Sequence, residues 1–318
     1  MRSSKWVFWA ITILCARRPD VAWRTIVISN PARLRVENDQ LVITQQESVS
    51  FPIEDLAVLM LESHEVLLTS ALLDRLAQHE VMLLACDARH LPSMAGVPFA
   101  GHSRLAGVQR SQLESTQPFR KRCWQAIARS KIANQARCLR MLGRSEADKV
   151  CALADAVTSG DASNIESVAA REHFQAAFGH DFIRFAEDGI NSALNYGYAV
   201  LRAVVARALT VHGFLPAHGI HHHSELNQFN LADDFLEPLR PVVDLRVAEL
   251  RPDGELTKAH REALVALIHA DVLIDGNRQA ILHAAEVMAA SFVAACRDKD
   301  PRLLKLPEIL PLKTHAYE

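Results

Sequence analysis

The hydrophobic pattern of this chain changes from strand-like to helix-like near residue 100, and this change constrains the fold more than any other feature. Short apolar runs over 25–29, 34–36, 41–43 and 56–61 are typical of strands. Asn38-Asp39 lies between two of them and favours a hairpin turn. Residues 69–79 have helical spacing, and 81–85 form a short buried strand. The N-terminal part is therefore predicted to be β-rich.

The pattern is helical over most of the remaining chain. Apolar residues recur with helical spacing over 119–142, 164–178, 188–212, 241–250, 257–271 and 278–297. Gly, Pro and Ser cluster in 91–98, which marks a domain boundary. The fold class is predicted to be α+β. A small β-rich domain over 22–97 is followed by a larger all-α domain over 98–300.

The two ends of the chain are set apart from this core. Arg2 and Lys5 precede an apolar run over 6–16, which is too short for the ~20 residues that span a bilayer. The run imitates a signal peptide, but no small-residue cleavage site follows it. We prefer an N-terminal extension over 1–21, read from a start assigned upstream of the true one, and exclude it from the fold. Residues 301–318 are predicted to be a loosely held C-terminal tail.

Charge and cysteine content narrow the class of protein. The net charge of −2 identifies no partner, but residues 104–144 carry ten Lys or Arg and one acid, Glu114. Such a basic stripe indicates phosphate binding, with a solvated helix face as the alternative. The six cysteines show no CxxC pairing. We therefore expect reduced cysteines, no zinc site, a cytoplasmic location and no membrane association.

The segment 219–241 concentrates groups that can bind a metal ion. His221, His222 and His223 lie in a loop flanked by Gly and Pro, and Asp234 and Glu237 are three residues apart. Carboxylates on one helical turn share a face, although Pro238 limits the length of that helix. Carboxylates with one imidazole suit Mg²⁺ or Mn²⁺. The alternatives are a solvated histidine loop and acids that favour a helix N-terminus.

The sequence around Glu166 allows two interpretations of its role. Ser163-x-x-Glu166 matches a capping box, in which the glutamate accepts a hydrogen bond from the N-cap backbone N–H. The local sequence favours that structural role over metal binding. Arg171, five residues later, is a partner for a phosphate or for an acidic neighbour.

These segments together resemble a known family, the CRISPR-associated integrase that captures new spacers. The most specific match is Asn-Gln-Phe-Asn-Leu-Ala-Asp-Asp-Phe-Leu-Glu-Pro-Leu-Arg-Pro over 227–241. Further matches lie at 23–29, 53–57, 131–135, 169–171 and 195–198. The resemblance covers about residues 21–297. It is strongest to the branch found beside the single-protein RNA-guided effector nuclease, type II.

The resemblance implies a set of site residues. Glu166, His222 and Asp234 would be catalytic metal ligands for Mg²⁺ or Mn²⁺, with Glu237 as an additional acid and Arg240 orienting the carboxylates. Expected contacts to the DNA backbone are Arg104, Arg120, Lys121, Arg122, Lys131 and Arg171. The resemblance thus overrides the local preference for Glu166 as a cap alone.

The resemblance also implies an activity and partners. The expected reaction is metal-dependent attack of a prespacer 3′-hydroxyl on a phosphodiester at the edge of a CRISPR repeat. Expected partners are double-stranded and branched DNA, a second copy of the chain, a small ferredoxin-like adaptation protein and the RNA-guided effector nuclease. Two alternatives stay open: a catalytically inactive DNA-binding scaffold, and a metal-dependent phosphodiesterase of another pathway.

Overall fold

A computed structural model describes residues 11–16, 23–88, 90, 92–96 and 104–312. The chain divides into two compact units, Met1–Gly101 and His102–Glu318. The N-terminal unit is β-rich and the larger C-terminal unit is mostly helical. The predicted α+β fold class is therefore confirmed.

The N-terminal unit contains nine described strands and one helix. In chain order these are β1 (Ile11–Ala16), β2 (Trp23–Ile28), β3 (Ala32–Glu37), β4 (Gln40–Thr44), β5 (Ser48–Pro52), β6 (Leu56–Leu61), β7 (Val66–Leu68), α1 (Ser70–Gln78), β8 (Met82–Cys86) and β9 (Pro92–Gly96).

These strands form two sheets. One has the order β1-β2-β6-β8-β9, with parallel pairing at its centre and antiparallel strands at its edges. The other has the order β5-β4-β3-β7. Every residue of β6 is buried, as expected for a central parallel strand covered on both faces. Residues from both sheets and from α1 form one apolar core.

The predicted hairpin is present, and two segments that were set apart in the sequence each contain a strand. Asn38 and Asp39 have φ of 50° and 56°, the left-handed values that a tight two-residue hairpin turn requires. The segment 91–98, predicted as a boundary, contains β9, which pairs with β8. The segment 1–21, excluded as an extension, contains β1, which pairs along its whole length with β2.

The C-terminal unit is built from nine described helices and a small sheet. The helices are α2 (Leu105–Leu113), α3 (Gln117–Met141), α4 (Ala147–Ala156), α5 (Ile165–Phe178), α6 (Gly189–Val211), α7 (Asn230–Leu236), α8 (Arg240–Leu250), α9 (Lys258–Val265) and α10 (Ile281–Asp298). The strands are β10 (Asp271–Ile274), β11 (Asn277–Ala280) and β12 (Glu308–Ile309).

Helices α3 and α6 organise this unit. Helix α3 packs against α4, α5 and α8, and α6 packs against α7, α8, α9 and α10. Gly197 permits the close approach of α6 to α8, because a Cβ there would lie 2.5 Å from Val243 Cγ1. This packing brings α3, the start of α5 and the α7–α8 connection to one place.

The small sheet differs from the sequence expectations in two details. The larger unit is not all-α: the single helix predicted over 257–271 ends at Val265, and β10 follows a 3-10 turn over Ala266–His269. The predicted loose tail is anchored up to residue 312, since β12 pairs with β10 and the Ile309 N–H donates to Asn134 Oδ1 at 3.2 Å. Among the described residues, no helix combines the length and the apolarity needed to cross a bilayer.

Candidate active site

The centre of the candidate site is a lysine between two glutamates. Lys131 on α3 forms ion pairs with Glu166, at the start of α5, and with Glu237, in the 3-10 turn Glu237–Leu239. The three side chains are 9%, 20% and 6% exposed. Burial alone lowers the pKa of Lys131, but the charges of Glu237 and Glu166 outweigh it and raise the pKa. The ammonium group therefore stays charged and offsets two carboxylates.

Arg240 fixes the second of these glutamates. Its Nε donates to Glu237 Oε1 at 2.7 Å, and its guanidinium lies 4.6 Å from the centroid of the Tyr198 ring. Burial raises the pKa of Glu237, but Arg240 and Lys131 reverse this and hold the pKa at about 2. Glu237 is therefore an anion whose carboxylate is held from two sides, and Arg240 is placed where an orienting residue would be expected.

Asp234 organises the histidine loop. Its fully buried carboxylate accepts hydrogen bonds from the backbone N–H groups of Ile220, His221 and His222, at 2.5, 3.1 and 3.1 Å. It also lies 2.7 Å from His222 Nδ1. Gly219 is needed for this arrangement, because a Cβ there would lie 2.3 Å from the His222 carbonyl oxygen and 3.0 Å from Asp234 Oδ2.

Of the three imidazole rings, that of His222 makes the hydrogen bond to Asp234. The hydrogen bond to Asp234 raises the pKa of His222 and favours the tautomer in which Nδ1 carries the proton. That tautomer leaves the lone pair of Nε2 available as a ligand. His221 instead stacks on Trp124, with ring centroids 4.0 Å apart and planes 3° from parallel. His223 is exposed.

The predicted capping box around Glu166 is not formed. Asn164 is the N-cap of α5, with a left-handed φ of 52° and no side-chain cap. Asp161 caps the helix instead, accepting hydrogen bonds from the N–H groups of Ile165 and Glu166, each at 2.9 Å. The carboxylate of Glu166 is therefore released from capping and pairs with Lys131.

The expected DNA contacts lie in two different environments. Arg104, Lys121, Arg122 and Arg171 are exposed and Arg120 is half-buried. Arg122 also lines a cleft of about 740 Å³ together with Arg129, Lys299 and Arg302. Lys131, in contrast, is buried in the carboxylate cluster, so its assignment to the DNA backbone is not supported. The helical register of Lys131 indicates this burial, because Phe119, Cys123 and Ile127 precede Lys131 at intervals of four residues on the buried face of α3.

The donor set fits a hard divalent cation, although the cage is not preformed. Within the described ranges, no three His, Cys, Asp or Glu side chains are arranged to hold a metal ion. The carboxylates of buried Glu237 and half-buried Glu166 both pair with Lys131. The charge of Glu237 also acts on His222, whose contact with Asp234 is made through Nδ1 and not Nε2. Oxygen donors with one imidazole nitrogen suit Mg²⁺ or Mn²⁺. A cation that reached these carboxylates would take over the role of the ammonium group.

Sequence reasoning missed three residues that shape the site: Asp161, Tyr198 and Asp244. Tyr198 donates a short hydrogen bond to Asp244 Oδ1, and His173 Nε2 lies 2.9 Å from Asp244 Oδ2. Burial raises the pKa of Tyr198 well above its ordinary value, so the hydroxyl stays protonated and donates. This buried network supports the ring on which Arg240 lies. Nothing local in the sequence indicates the pairing of residues 46 positions apart.

Comparisons with known proteins agree with this architecture. The chain is 45% identical over 304 residues to a CRISPR-associated endonuclease Cas1 of Neisseria meningitidis serogroup C, covering 94% of this chain and 100% of that protein. A casposase bound to integration product shares the fold with a TM-score of 0.71 at 18% identity, covering 85% of this chain and 89% of that one. A Cas6-RT-Cas1–Cas2 complex does so with a TM-score of 0.70 at 19% identity, covering 93% and 37%.

The family model for CRISPR associated protein Cas1 matches residues 25–286. This range includes the whole site, from Lys131 to Arg240, and most of both units. The resemblance drawn from the sequence is thereby confirmed at the level of the family. The chain belongs to the Cas1 family of CRISPR-associated proteins.

Proposed function

We propose that this protein is a metal-dependent DNA endonuclease and integrase of CRISPR adaptation. It would insert prespacer DNA into a CRISPR repeat by attack of a 3′-hydroxyl on a phosphodiester. The observation that carries this proposal is the ion-paired cluster of Glu166, Lys131 and Glu237, in which the charge of Glu237 also acts on His222. Membership of the Cas1 family supports it, as does a relative named as an endonuclease.

The hydrogen bonds of the site favour a ligand set of Glu166, His222 and Glu237. Asp234, expected as a ligand, is completely buried and accepts four hydrogen bonds. Because two bonds reach each oxygen, a metal bond would require one of them to break. Asp234 therefore acts through His222, fixing its ring and tautomer as outer partners of ligating histidines do. A bound Mg²⁺ or Mn²⁺ would polarise the phosphodiester and stabilise the charge that develops on it.

The remaining side chains have supporting roles in this proposal. Arg240 keeps the Glu237 carboxylate in one orientation. Lys131 balances the carboxylate charges until the metal ion arrives and then adds a positive charge near the reacting phosphate. The exposed arginines and lysines at 104, 121, 122 and 171, with Arg120, would hold the DNA backbone without reading its sequence.

The proposed assembly follows the family. Double-stranded and branched DNA would be the substrates, in line with the integration product named for the casposase that shares the fold. A small ferredoxin-like adaptation protein would bind, in line with the Cas2 named in another structure of this fold. Dimerisation through the N-terminal units, contact with the RNA-guided effector nuclease and a cytoplasmic location complete the proposal.

A disintegration assay on branched DNA tests the reaction without any partner protein. Purified protein with Mn²⁺ or Mg²⁺ should reseal the interrupted strand and release the branch. The variant His222→Ala should lose this activity. The variant His223→Ala should keep it, because His223 is exposed and the loop contacts to Asp234 come from its neighbours, such as the His221 N–H. Binding of the same DNA by both variants shows that the fold is intact.

The outcomes separate the alternatives. DNA binding without strand transfer in either metal would favour an inactive scaffold. Metal-dependent cleavage of linear or small substrates with no preference for branched DNA would favour a phosphodiesterase of another pathway. Transfer that survives in His222→Ala would mean that a different imidazole, such as His221, takes part.

A further inference from the structure

A buried asparagine on α3 joins the turn that carries Glu237 to the C-terminal segment of the chain. The side chain belongs to Asn134, which is 0% exposed. Its amide nitrogen donates to the Pro238 carbonyl oxygen at 2.8 Å and to the Pro307 carbonyl oxygen at 2.9 Å. Its amide oxygen accepts the Ile309 N–H at 3.2 Å. One side chain therefore holds two backbone segments that are far apart in the sequence.

The hydrogen bonds fix the orientation of this amide. Pro238 and Pro307 have no backbone N–H, so their carbonyl oxygens must face the amide nitrogen of Asn134. The amide oxygen faces two donors, the Ile309 N–H and Arg137 Nη1, the latter at 3.2 Å. All four hydrogen-bonding positions of the amide are thus occupied. Aspartate has the same shape but no donor, and leucine has neither donor nor acceptor, so the arrangement is specific to asparagine.

The contact with Pro238 acts on the backbone next to Glu237. Both residues lie in the single 3-10 turn Glu237–Leu239, which joins α7 to α8. Lys131, three residues before Asn134 on α3, pairs with the carboxylate of the same turn. Helix α3 therefore holds this turn twice, by an ion pair to the carboxylate and by an amide to the adjoining backbone. The amide contact uses no carboxylate oxygen, so a cation that displaces the ammonium group does not compete with it.

The second segment held by Asn134 is itself fixed. Ile309 is 2% exposed and pairs in β12 with Val272 of β10. The neighbouring Glu308 carboxylate lies 2.7 Å from a guanidinium nitrogen of α3. The segment is therefore held by the small sheet and by α3 at the same time. A fixed backbone on this side allows one amide to locate the turn on the other side.

We infer that Asn134 is a positioning residue of the metal site and that the C-terminal segment 307–309 forms part of the support of that site. The amide sets the position of the Glu237 backbone, and so the place where its carboxylate meets the metal ion. The inference rests on the proposed function, because it takes Glu237 as a ligand. Replacing the outer partner of a metal ligand changes metal affinity or activity by about 10- to 100-fold. Asn134 acts through the backbone, so we expect the lower end, about tenfold.

Mn²⁺ binding in the absence of DNA tests this role without any catalytic step. The free ion has an electron paramagnetic resonance signal that is lost on binding, so a titration gives the Kd. Asn134→Ala should raise the Kd about tenfold. Asn134→Ser keeps one hydroxyl donor and should give a Kd between those of wild type and Asn134→Ala. The serine variant also decides the question if the alanine variant does not fold.

Strand transfer on branched DNA provides a second readout. Asn134→Ala should need about ten times more Mn²⁺ for its half-maximal rate, whereas its rate at saturating Mn²⁺ should stay near that of wild type. The reason is that a bound metal ion supplies the restraint on Glu237 that the amide no longer provides. A simple loss of stability would instead lower the rate at every Mn²⁺ concentration.

Two control variants separate positioning from stability. Glu308→Ala removes an ion pair of the same segment, in which the glutamate side chain is 51% exposed, and leaves the backbone contacts of Asn134 in place. Thr257→Ala removes the side-chain cap of α9 and lowers the melting temperature without changing a contact of the Glu237 turn. Neither variant should change the Kd for Mn²⁺.

The outcomes distinguish this inference from the proposed reaction. Equal Mn²⁺ affinity in wild type and in both Asn134 variants refutes the positioning role, even where wild-type protein carries out strand transfer. A loss of affinity in Thr257→Ala as large as that in Asn134→Ala also refutes it. If the Asn134 variants bind Mn²⁺ more weakly but wild-type protein shows no transfer, the positioning role stands and the proposed chemistry fails. Wild-type protein that binds no Mn²⁺ refutes both.

Discussion

Replacing Lys131 by methionine tests whether the carboxylate cluster depends on the buried ammonium group. Methionine keeps an unbranched apolar side chain but removes the charge that pairs with Glu166 and Glu237. Removing one partner of a buried ion pair costs about 3–5 kcal/mol, because the remaining charge is left uncompensated. Since Arg240 still pairs with Glu237 and Glu166 is 20% exposed, we expect the lower end, about 3 kcal/mol.

The expected change in melting temperature follows from the size of the unit. The helical unit spans His102–Glu318, within the 150–250-residue range in which 1 kcal/mol shifts Tm by about 2–4 °C. Lys131→Met should therefore lower the Tm by about 6–12 °C in EDTA. Mn²⁺ at a hundred times its Kd contributes about 2.7 kcal/mol and should restore most of this loss.

Thermal unfolding with and without Mn²⁺ measures both effects. Wild-type protein should gain less from Mn²⁺ than Lys131→Met does, because the ammonium group must leave the carboxylates before the metal ion binds. Lys121→Met is the matched control: it removes an exposed lysine from the same helix and should leave both temperatures unchanged. A Lys131→Met protein as stable as wild type in EDTA, or one with no larger gain from Mn²⁺, would refute this reasoning.

Three further predictions follow from other contacts. Gly219→Ala should abolish strand transfer with little loss of Tm, because its Cβ would collide with the His222 carbonyl. Gly107→Ala, whose Cβ meets open space, should change neither strand transfer nor Tm in the same assays. Asp161→Ala should lower the free energy of unfolding by about 1–2 kcal/mol in a denaturant titration, because it removes the cap of α5; an unchanged value would contradict that role. Burial lowers the pKa of His269 from 6.5 to about 4, so its contribution is complete above pH 6.5 and is lost as pH falls towards 4. His269→Gln should remove about 3 kcal/mol of acid sensitivity over that range, and equal acid profiles would count against it.

Periodicity was sufficient to predict most elements, because burial patterns of helices and strands are local. Strand β6 and the hairpin after β3 lie where alternation and Asn38-Asp39 place them. The β10–β11 hairpin was missed because its strands are short and partly polar. The third strand of this sheet, β12, comes from a segment that was predicted to be a tail. Pairing across such sequence distance depends on tertiary contacts that local propensity does not contain.

The site was predicted in part. The acids of 234–237 and the histidine loop were identified from residue types, and the family resemblance singled out His222. Their roles depended on geometry: Asp234 is saturated by loop N–H groups, and Lys131 is turned inward to the glutamates. The capping motif at Ser163 gave a wrong prediction of the N-cap. The Asp161 carboxylate caps the same helix end instead, through a left-handed turn. Competition between two nearby caps is decided by backbone conformation and not by spacing.

The most direct test of the account is the position of a bound metal ion. Crystals soaked in Mn²⁺ and measured at the manganese absorption edge would locate it by anomalous scattering. We expect one peak in contact with Glu166, Glu237 and His222 Nε2, with the Lys131 ammonium displaced and Asp234 still bonded to its loop. A peak on the Asp234 carboxylate, or no peak while both glutamates remain paired with Lys131, would contradict it.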